Sequence, residues 1–134
     1  KMSMVYEGDL RCRLTHGPSG VEILTDAPTD NHGKGEAFSP TDLMAAALGS
    51  CMLTVMGIAA RKNNVSMDGT IADVEKEMVT APVRRIGKIT VAIRMAAGID
   101  PGKRSILENA ANTCPVHKSI HPDVQVTVSF IYNN

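Results

Sequence analysis

The sequence is poor in aromatic residues and carries no net charge. It contains two tyrosines, two phenylalanines and no tryptophan, which is too few for a surface that stacks on nucleic-acid bases. Fourteen basic residues balance fourteen acidic ones, so no long-range field favours nucleic acid or an anionic membrane surface. These absences argue against both kinds of partner.

Cysteine is scarce and odd in number. Three cysteines do not form the paired framework of a small secreted protein and fit a reducing compartment better. Residues 1–4 lead into an alternating pattern instead of the apolar run of a secretory signal. We therefore expect a cytoplasmic protein.

The composition that remains is that of a folded globular chain. Hydrophobic residues make up 43% of the sequence and charged residues 21%, which excludes a disordered polymer. A length of 134 residues suits one domain over residues 1–134.

Hydrophobic periodicity predicts the order of the structural elements. Residues 4–15 and 20–26 alternate like a hairpin, and residues 70–80, 87–96 and 124–132 alternate like further strands. One helix is predicted from Pro40 to about Lys62, and a second from Asp100 to Cys114, where Pro115 breaks it. The order ββ-α-ββ-α-β, without βαβ repetition, predicts an α+β fold.

The first predicted helix has no polar face. Ser39 and Asp42 form a capping box around its start, and no charged residue follows until Arg61. A helix that is apolar all round either crosses a membrane or is buried in protein. The soluble-type cap and the Ala- and Gly-rich composition favour burial without a membrane. Because so short a chain has little material to cover such a helix, we expect a homodimer.

Two cysteines occupy apolar positions on these helices. Cys51 lies in the middle of the first helix, and Cys114 lies on the apolar stripe of the second. Either residue alone could be a small buried hydrophobe, since free cysteine is among the most buried residue types. Cys12, between Arg11 and Arg13, is interpreted as incidental.

The spacing of Cys114, His117 and His121 also permits a zinc-site hypothesis, with Cys51 as a fourth ligand. A pattern this short is a weak signal, and the same histidines, flanked by prolines, are typical of an exposed turn. We expect no metal.

Two stretches of the sequence resemble the cysteine motifs of the OsmC/Ohr family. Residues 39–51 read SPTDLMAAALGSC, similar to the Pro-x-x-Leu…Ala-Ala…Cys helix of that family. Residues 113–117 read TCPVH, similar to its second motif, in which Cys-Pro precedes a small apolar residue. The separation of the motifs and the order of elements between them also match, so the resemblance covers nearly the whole chain.

The resemblance implies an intertwined homodimer that reduces organic hydroperoxides without metal or organic cofactor. Cys51 would attack the peroxide and become a sulfenic acid, Cys114 would condense with it to a disulfide, and an external dithiol would reduce that disulfide. In the family, an arginine from the early strands activates the first cysteine. Arg11 and Arg13 both lie in that region, and Arg11 is preferred.

The sequence departs from the family at the start of the first helix. Ohr proteins place a glutamate directly after the proline, whereas here Thr41 follows Pro40 and the acid is Asp42. One helical step rotates a side chain by about 100°, so Asp42 or the preceding Glu36 would have to hold the arginine. The expected catalytic set is Cys51, Cys114, Arg11 and Asp42. The alternative is a binding or stress protein of the same fold with weak or no peroxidase activity.

Overall fold

The computed structural model describes residues 1–133 and has an α+β architecture with two three-stranded sheets. The chain divides into two compact units, Lys1–Met44 and Ala45–Asn134. The first unit holds one sheet, and the second holds the other sheet with most of the helical residues. The α+β prediction is confirmed, and the single domain stays a prediction.

The N-terminal unit contains three antiparallel strands where the alternating pattern predicted two. They are β1 (Met2–Gly8), β2 (Arg11–His16) and β3 (Glu22–Asp26), in the order β1-β2-β3. The prediction of one strand over residues 4–15 is wrong, because the chain reverses at Gly8, Asp9 and Leu10. All three have positive φ angles, of 91°, 54° and 62°, and a Gly-Asp pair adopts this conformation readily. The turn ends β1, but apolar and polar residues continue to alternate across it.

Helix α1 (Pro40–Lys62) begins where the capping box predicts. The Asp42 backbone N–H donates to Ser39 Oγ at 3.0 Å, and the Ser39 backbone N–H donates to Asp42 Oδ2 at 3.0 Å. Both partners of the box are therefore engaged, as the motif requires.

The C-terminal unit is built on a mixed sheet. Strand β4 (Ile71–Val79) pairs antiparallel with β5 (Arg85–Arg94), which pairs parallel with β6 (Gln125–Ile131). The connection from β5 to β6 carries α2 (Arg104–Ala111) and α3 (Pro115–Ser119). The second predicted helix, Asp100 to Cys114, is thus shorter than expected and is followed by a separate short helix.

The core of the C-terminal unit lies between one face of α1 and the sheet. The buried residues of α1 recur every three or four positions, the spacing of one helix face: Ala45, Leu48, Gly49, Met52, Met56 and Ala60. A Cβ atom at Gly49 would come within 2.7 Å of Val74 Cγ2, so glycine allows α1 and β4 to approach closely. The strand residues Ile89, Val91 and Ile93 are fully buried beneath them.

Much of the remaining apolar surface is open in the single chain. On α1, Met44 is 51% exposed and Ile58 is 53% exposed, so the expected burial of this helix on every side is not achieved within one chain. Among the described residues, α1 is the one helix with the length and apolarity of a membrane span. In the N-terminal sheet, β1 exposes Met4 and Tyr6, and β3 exposes Ile23.

Candidate active site

Cys51 lies near the middle of α1, next to the face that packs on the core. The side chain is half-buried and contacts the hydrophobic core cluster. It is a free thiol. Its neighbour Met52 is fully buried, so the helix holds Cys51 at the boundary between the core and its surroundings.

Cys114 occupies the break between α2 and α3. It is fully buried and is the N-cap residue of α3, with Pro115 at the first helical position. The backbone N–H of His117 donates to Cys114 Sγ at 3.5 Å. The proline explains the break, because it has no N–H for the preceding helix and a fixed φ that suits the start of a new one. The thiol therefore caps the first turn of α3.

The two thiols, far apart in sequence, lie close enough that Cys51 affects the pKa of Cys114. Burial raises the pKa of Cys114, and the hydrogen bond with Cys51 raises it further. Both cysteines are free, so the contact is between two sulfur groups that could be joined by oxidation. The C-terminal unit thus contains a dithiol with one half-buried and one fully buried partner.

Arg11 lies at the centre of a charged cluster in the N-terminal unit. Its Nε and Nη2 atoms donate to Oδ1 and Oδ2 of Asp26, each at 2.7 Å, which is the bidentate geometry of a strong charge-assisted pair. Nη2 also donates to Glu36 Oε1 at 3.1 Å, and the Glu36 backbone N–H donates to Asp26 Oδ2 at 3.0 Å. The guanidinium is therefore fixed by two carboxylates.

The pairing changes the ionisation of both partners. The hydrogen bond with Arg11 lowers the pKa of Asp26, although burial opposes this shift. The same hydrogen bond raises the pKa of Arg11. Asp26 was absent from the predicted set, but the register of β2 and β3 places it directly opposite Arg11. If the sequence pattern had been divided into β1 and β2, pairing β2 with β3 would have placed Arg11 opposite Asp26.

Arg13 has weaker and more exposed partners. Its Nε donates to Glu7 Oε2 at 2.9 Å, and its Nη1 lies 3.7 Å from Glu22 Oε1. The Arg13 side chain is 41% exposed, against 25% for Arg11. Arg11 is thus the more firmly held guanidinium, and its assignment to catalysis stays a prediction, as does that of Asp42.

The residues of the zinc hypothesis do not form a metal site. Among residues 1–133, no group of three or more His, Cys, Asp or Glu side chains is arranged to bind a metal ion. His121 Nδ1 accepts from the Asp123 backbone N–H at 3.0 Å and lies 3.8 Å from the Asp123 carboxylate, in an exposed pair.

The fold and the paired thiols define a class of small α+β dithiol proteins, and sequence comparison identifies the family. A family model described as OsmC-like protein matches residues 33–129. The chain therefore belongs to the OsmC-like protein family. A comparison with curated proteins finds no match.

Solved structures show the same fold. A protein of Psychrobacter arcticus, described as a candidate osmotic stress-induced and detoxification response protein, is 49% identical, with 96% of this chain and 93% of that chain covered and a TM-score of 0.91. An organic hydroperoxide resistance protein OsmC of Legionella pneumophila is 15% identical over 98% and 95% of the two chains, with a TM-score of 0.77. OhrB of Bacillus subtilis, an organic hydroperoxide resistance protein, is 19% identical over 97% and 96%, with a TM-score of 0.68.

Proposed function

We propose that this protein is a cysteine-based peroxidase that reduces organic hydroperoxides, with Cys51 as the nucleophile and Cys114 as the resolving cysteine. The observation that carries the proposal is the contact between these two free thiols. The names of the Legionella and Bacillus proteins, both organic hydroperoxide resistance proteins, support the choice of substrate.

In the first step, the Cys51 thiolate attacks one peroxide oxygen and the O–O bond breaks. The sulfur is oxidised to a sulfenic acid, and the other oxygen leaves as the alcohol after taking up a proton. Only a thiolate is nucleophilic enough for this attack. A guanidinium stabilises a thiolate and can hold the peroxide, and we assign this role to Arg11, which Asp26 and Glu36 hold in one orientation. Asp42 is assigned to supporting the arginine from the start of α1.

In the second step, the Cys114 thiol condenses with the Cys51 sulfenic acid. An S–S bond forms, the S–O bond breaks and water leaves. An external dithiol then reduces the disulfide and is itself oxidised. The raised pKa of Cys114 keeps this residue a thiol until the sulfenic acid forms, which separates the two roles.

The apolar surroundings of Cys51 favour organic over hydrogen peroxide. The two residues that follow Cys51 in the sequence, Met52 and Leu53, belong to the core or pack against it. An alkyl tail gains free energy by leaving water for such surroundings, whereas hydrogen peroxide has no tail.

We further propose that the working form is a homodimer in the cytoplasm. The exposed apolar residues of α1 and of the N-terminal sheet are the kind of surface that a second subunit covers. A groove of about 500 Å³ between α1 and β4, lined by Gly49, Leu53 and Val74 among others, gives a second copy a surface to fill. Obligate interfaces bury roughly 2,000 Å² or more. Sedimentation at micromolar concentration should give a dimer, and a folded, active monomer would contradict this part of the proposal.

Stopped-flow oxidation of the reduced protein tests the reaction. Cumene hydroperoxide should oxidise the wild type much faster than hydrogen peroxide does, with loss of two free thiols. Cys51→Ser should abolish peroxide consumption, while Cys114→Ser should allow one turnover and leave a sulfenic acid. Cys12→Ser is the matched control, since Cys12 is also free but lies on β2, and it should behave like the wild type.

Full activity in Cys51→Ser would overturn the proposal. Slow oxidation by both peroxides, with intact protein and both thiols present, would instead support a binding or stress protein that retains the fold.

A further inference from the structure

His117 has a polar atom that the proposed reaction does not yet use. Its Nδ1 is buried and has no hydrogen-bond partner among residues 1–133, although the residue as a whole is only half-buried. Leaving a buried polar atom unpaired is costly, and such atoms call for an explanation. The imidazole therefore has one nitrogen enclosed by protein, in a residue that is partly exposed as a whole.

The position of His117 on α3 places it beside the resolving thiol. Cys114 is the N-cap of this helix, and its sulfur accepts the backbone N–H of His117. In a capping box, the side chain of the residue three positions after the cap reaches back to the backbone N–H of the cap residue, so it lies on the same side of the helix start. Here that residue is a histidine, and the cap residue is the thiol that must lose a proton.

We propose that His117 accepts the proton of the Cys114 thiol while the disulfide forms, an inference that rests on the peroxidase function proposed above. The Cys114 S–H bond breaks, the sulfur attacks Cys51, and the S–O bond of the sulfenic acid breaks. The proton held by His117 is then delivered to the leaving hydroxide, so water is the product. No further oxidant or reductant is consumed in this step.

The surroundings of Cys114 make a separate proton acceptor necessary. Full burial of the thiol disfavours its ionised form, so spontaneous deprotonation is slow to supply the attacking thiolate. General bases often form their hydrogen bond to the reacting group, directly or through one water, only in the reacting complex, and the unpaired Nδ1 of His117 has no other partner to give up first. Because His117 as a whole is partly exposed, a proton that it accepts can pass on to solvent.

Other charged groups nearby do not offer the same function. Cys51 is the electrophile in this step, and Lys118, next to His117 in the sequence, is exposed. His121 is exposed and paired with Asp123. Among the described residues, no carboxylate forms an ion pair with His117, which leaves its imidazole available.

Single-turnover kinetics of His117→Gln test the proposal. One equivalent of cumene hydroperoxide is added, and sulfenic acid and disulfide are followed by trapping and mass spectrometry from pH 5 to 8. The wild-type rate of disulfide formation should rise over this range, because a general base acts only in its unprotonated form. In His117→Gln the rate should fall at least about tenfold at pH 7 and lose that rise, while sulfenic acid forms at the wild-type rate. His121→Gln, the matched control, should leave both steps unchanged.

A second variant separates chemistry from folding. His117→Ala, at a position where alanine favours the helix, should regain disulfide formation when free imidazole is added, and His121→Ala should not respond. Wild-type kinetics in His117→Gln, or a slower rate that keeps the same pH dependence without imidazole rescue, would overturn the proposal.

The failure of the peroxidase function is distinguishable from the failure of this inference. If the wild type forms no sulfenic acid, the peroxidase function is wrong. Glutathione disulfide then replaces the peroxide: Cys51 forms a mixed disulfide, and Cys114 displaces glutathione from it. This displacement also requires the Cys114 proton to leave, so it should slow in His117→Gln and recover with imidazole in His117→Ala. An unchanged rate there would overturn the role of His117 by itself.

Discussion

The N-terminal unit carries its charged cluster on an open sheet, whereas the C-terminal unit holds its thiols against an apolar core. Arg11 is fixed by ion pairs with Asp26 and Glu36, while Cys114 is fixed by burial and by the first turn of α3. Ion pairs depend on pH and burial of apolar groups does not, so the two halves of the proposed chemistry should fail under different conditions. The following predictions test that difference, from the largest effect to the smallest.

The largest effect is expected in the core of the C-terminal unit. Ile93 on β5 is fully buried, so Ile93→Ala should lower the free energy of unfolding by about 2–5 kcal/mol. Ile23→Ala in the N-terminal sheet, where the side chain is 47% exposed, should cost less than about 0.5 kcal/mol in the monomer. Urea unfolding at several protein concentrations measures both. A larger cost for Ile23→Ala that grows with concentration would locate the dimer interface on that sheet.

The second prediction compares the two arginines of β2. Arg11→Ala should slow oxidation of Cys51 by about 100-fold, the scale on which a lost charge-stabilising donor acts. Arg13→Ala should have a much smaller effect, because its partners Glu7 and Glu22 form an exposed cluster of their own. Stopped-flow rates with cumene hydroperoxide decide between them, and equal, small effects would move the role to another residue.

The third prediction concerns acid stability of the N-terminal unit. The pKa of Asp26 is lowered in the fold by its hydrogen bond with Arg11. Its stabilising contribution is therefore fully present above its unfolded pKa of about 3.9 and is lost as the pH falls through the lower folded pKa. Asp26→Asn should be less stable than the wild type at pH 7 and should lose less stability between pH 5 and pH 3. Urea unfolding across that range tests this, with the exposed Asp73→Asn as control; parallel pH profiles for wild type and Asp26→Asn would contradict it.

The smallest effect is expected at the start of α1, within the N-terminal unit. Helix α1 begins in the N-terminal unit and continues into the C-terminal one. Ser39→Ala removes the acceptor for the Asp42 N–H and should cost about 1 kcal/mol of unfolding free energy. Ser129→Ala, at an exposed position on β6, should change stability by less than about 0.5 kcal/mol. Equal costs at the two positions would mean that the cap contributes nothing specific.

Local signals in the sequence predicted much of this fold. The capping box located the start of α1 at Pro40, and alternation located β4, β5 and β6, since both are properties of a few neighbouring residues. The Gly8–Leu10 reversal was missed because the apolar alternation continues across it. The break at Cys114 was anticipated from Pro115, but the new helix α3 after it was not.

The candidate site was predictable only in part, because its contacts join residues distant in sequence. The two cysteine motifs identified Cys51 and Cys114, and the structure brings these thiols together. Asp26 was not predicted, because its contact with Arg11 depends on the register between β2 and β3. The orphaned nitrogen of His117 likewise has no signature in a linear sequence, since burial is a property of the packed chain.

The parallel pairing of β5 with β6 has a consequence for the order in which the protein assembles. Lys88 pairs with Gln125 and Arg94 with Ile131, so this ladder closes a long loop that includes α2, α3 and Cys114. Contacts between residues so distant along the chain form more slowly than helices and hairpins, because a large entropy of loop closure opposes them. During synthesis, α1 and the β4–β5 hairpin can form before the C-terminal strand is available. For a time Cys51 therefore has no partner thiol beside it. In a newly made chain, Cys114 is expected to reach its final position only when β6 has paired with β5.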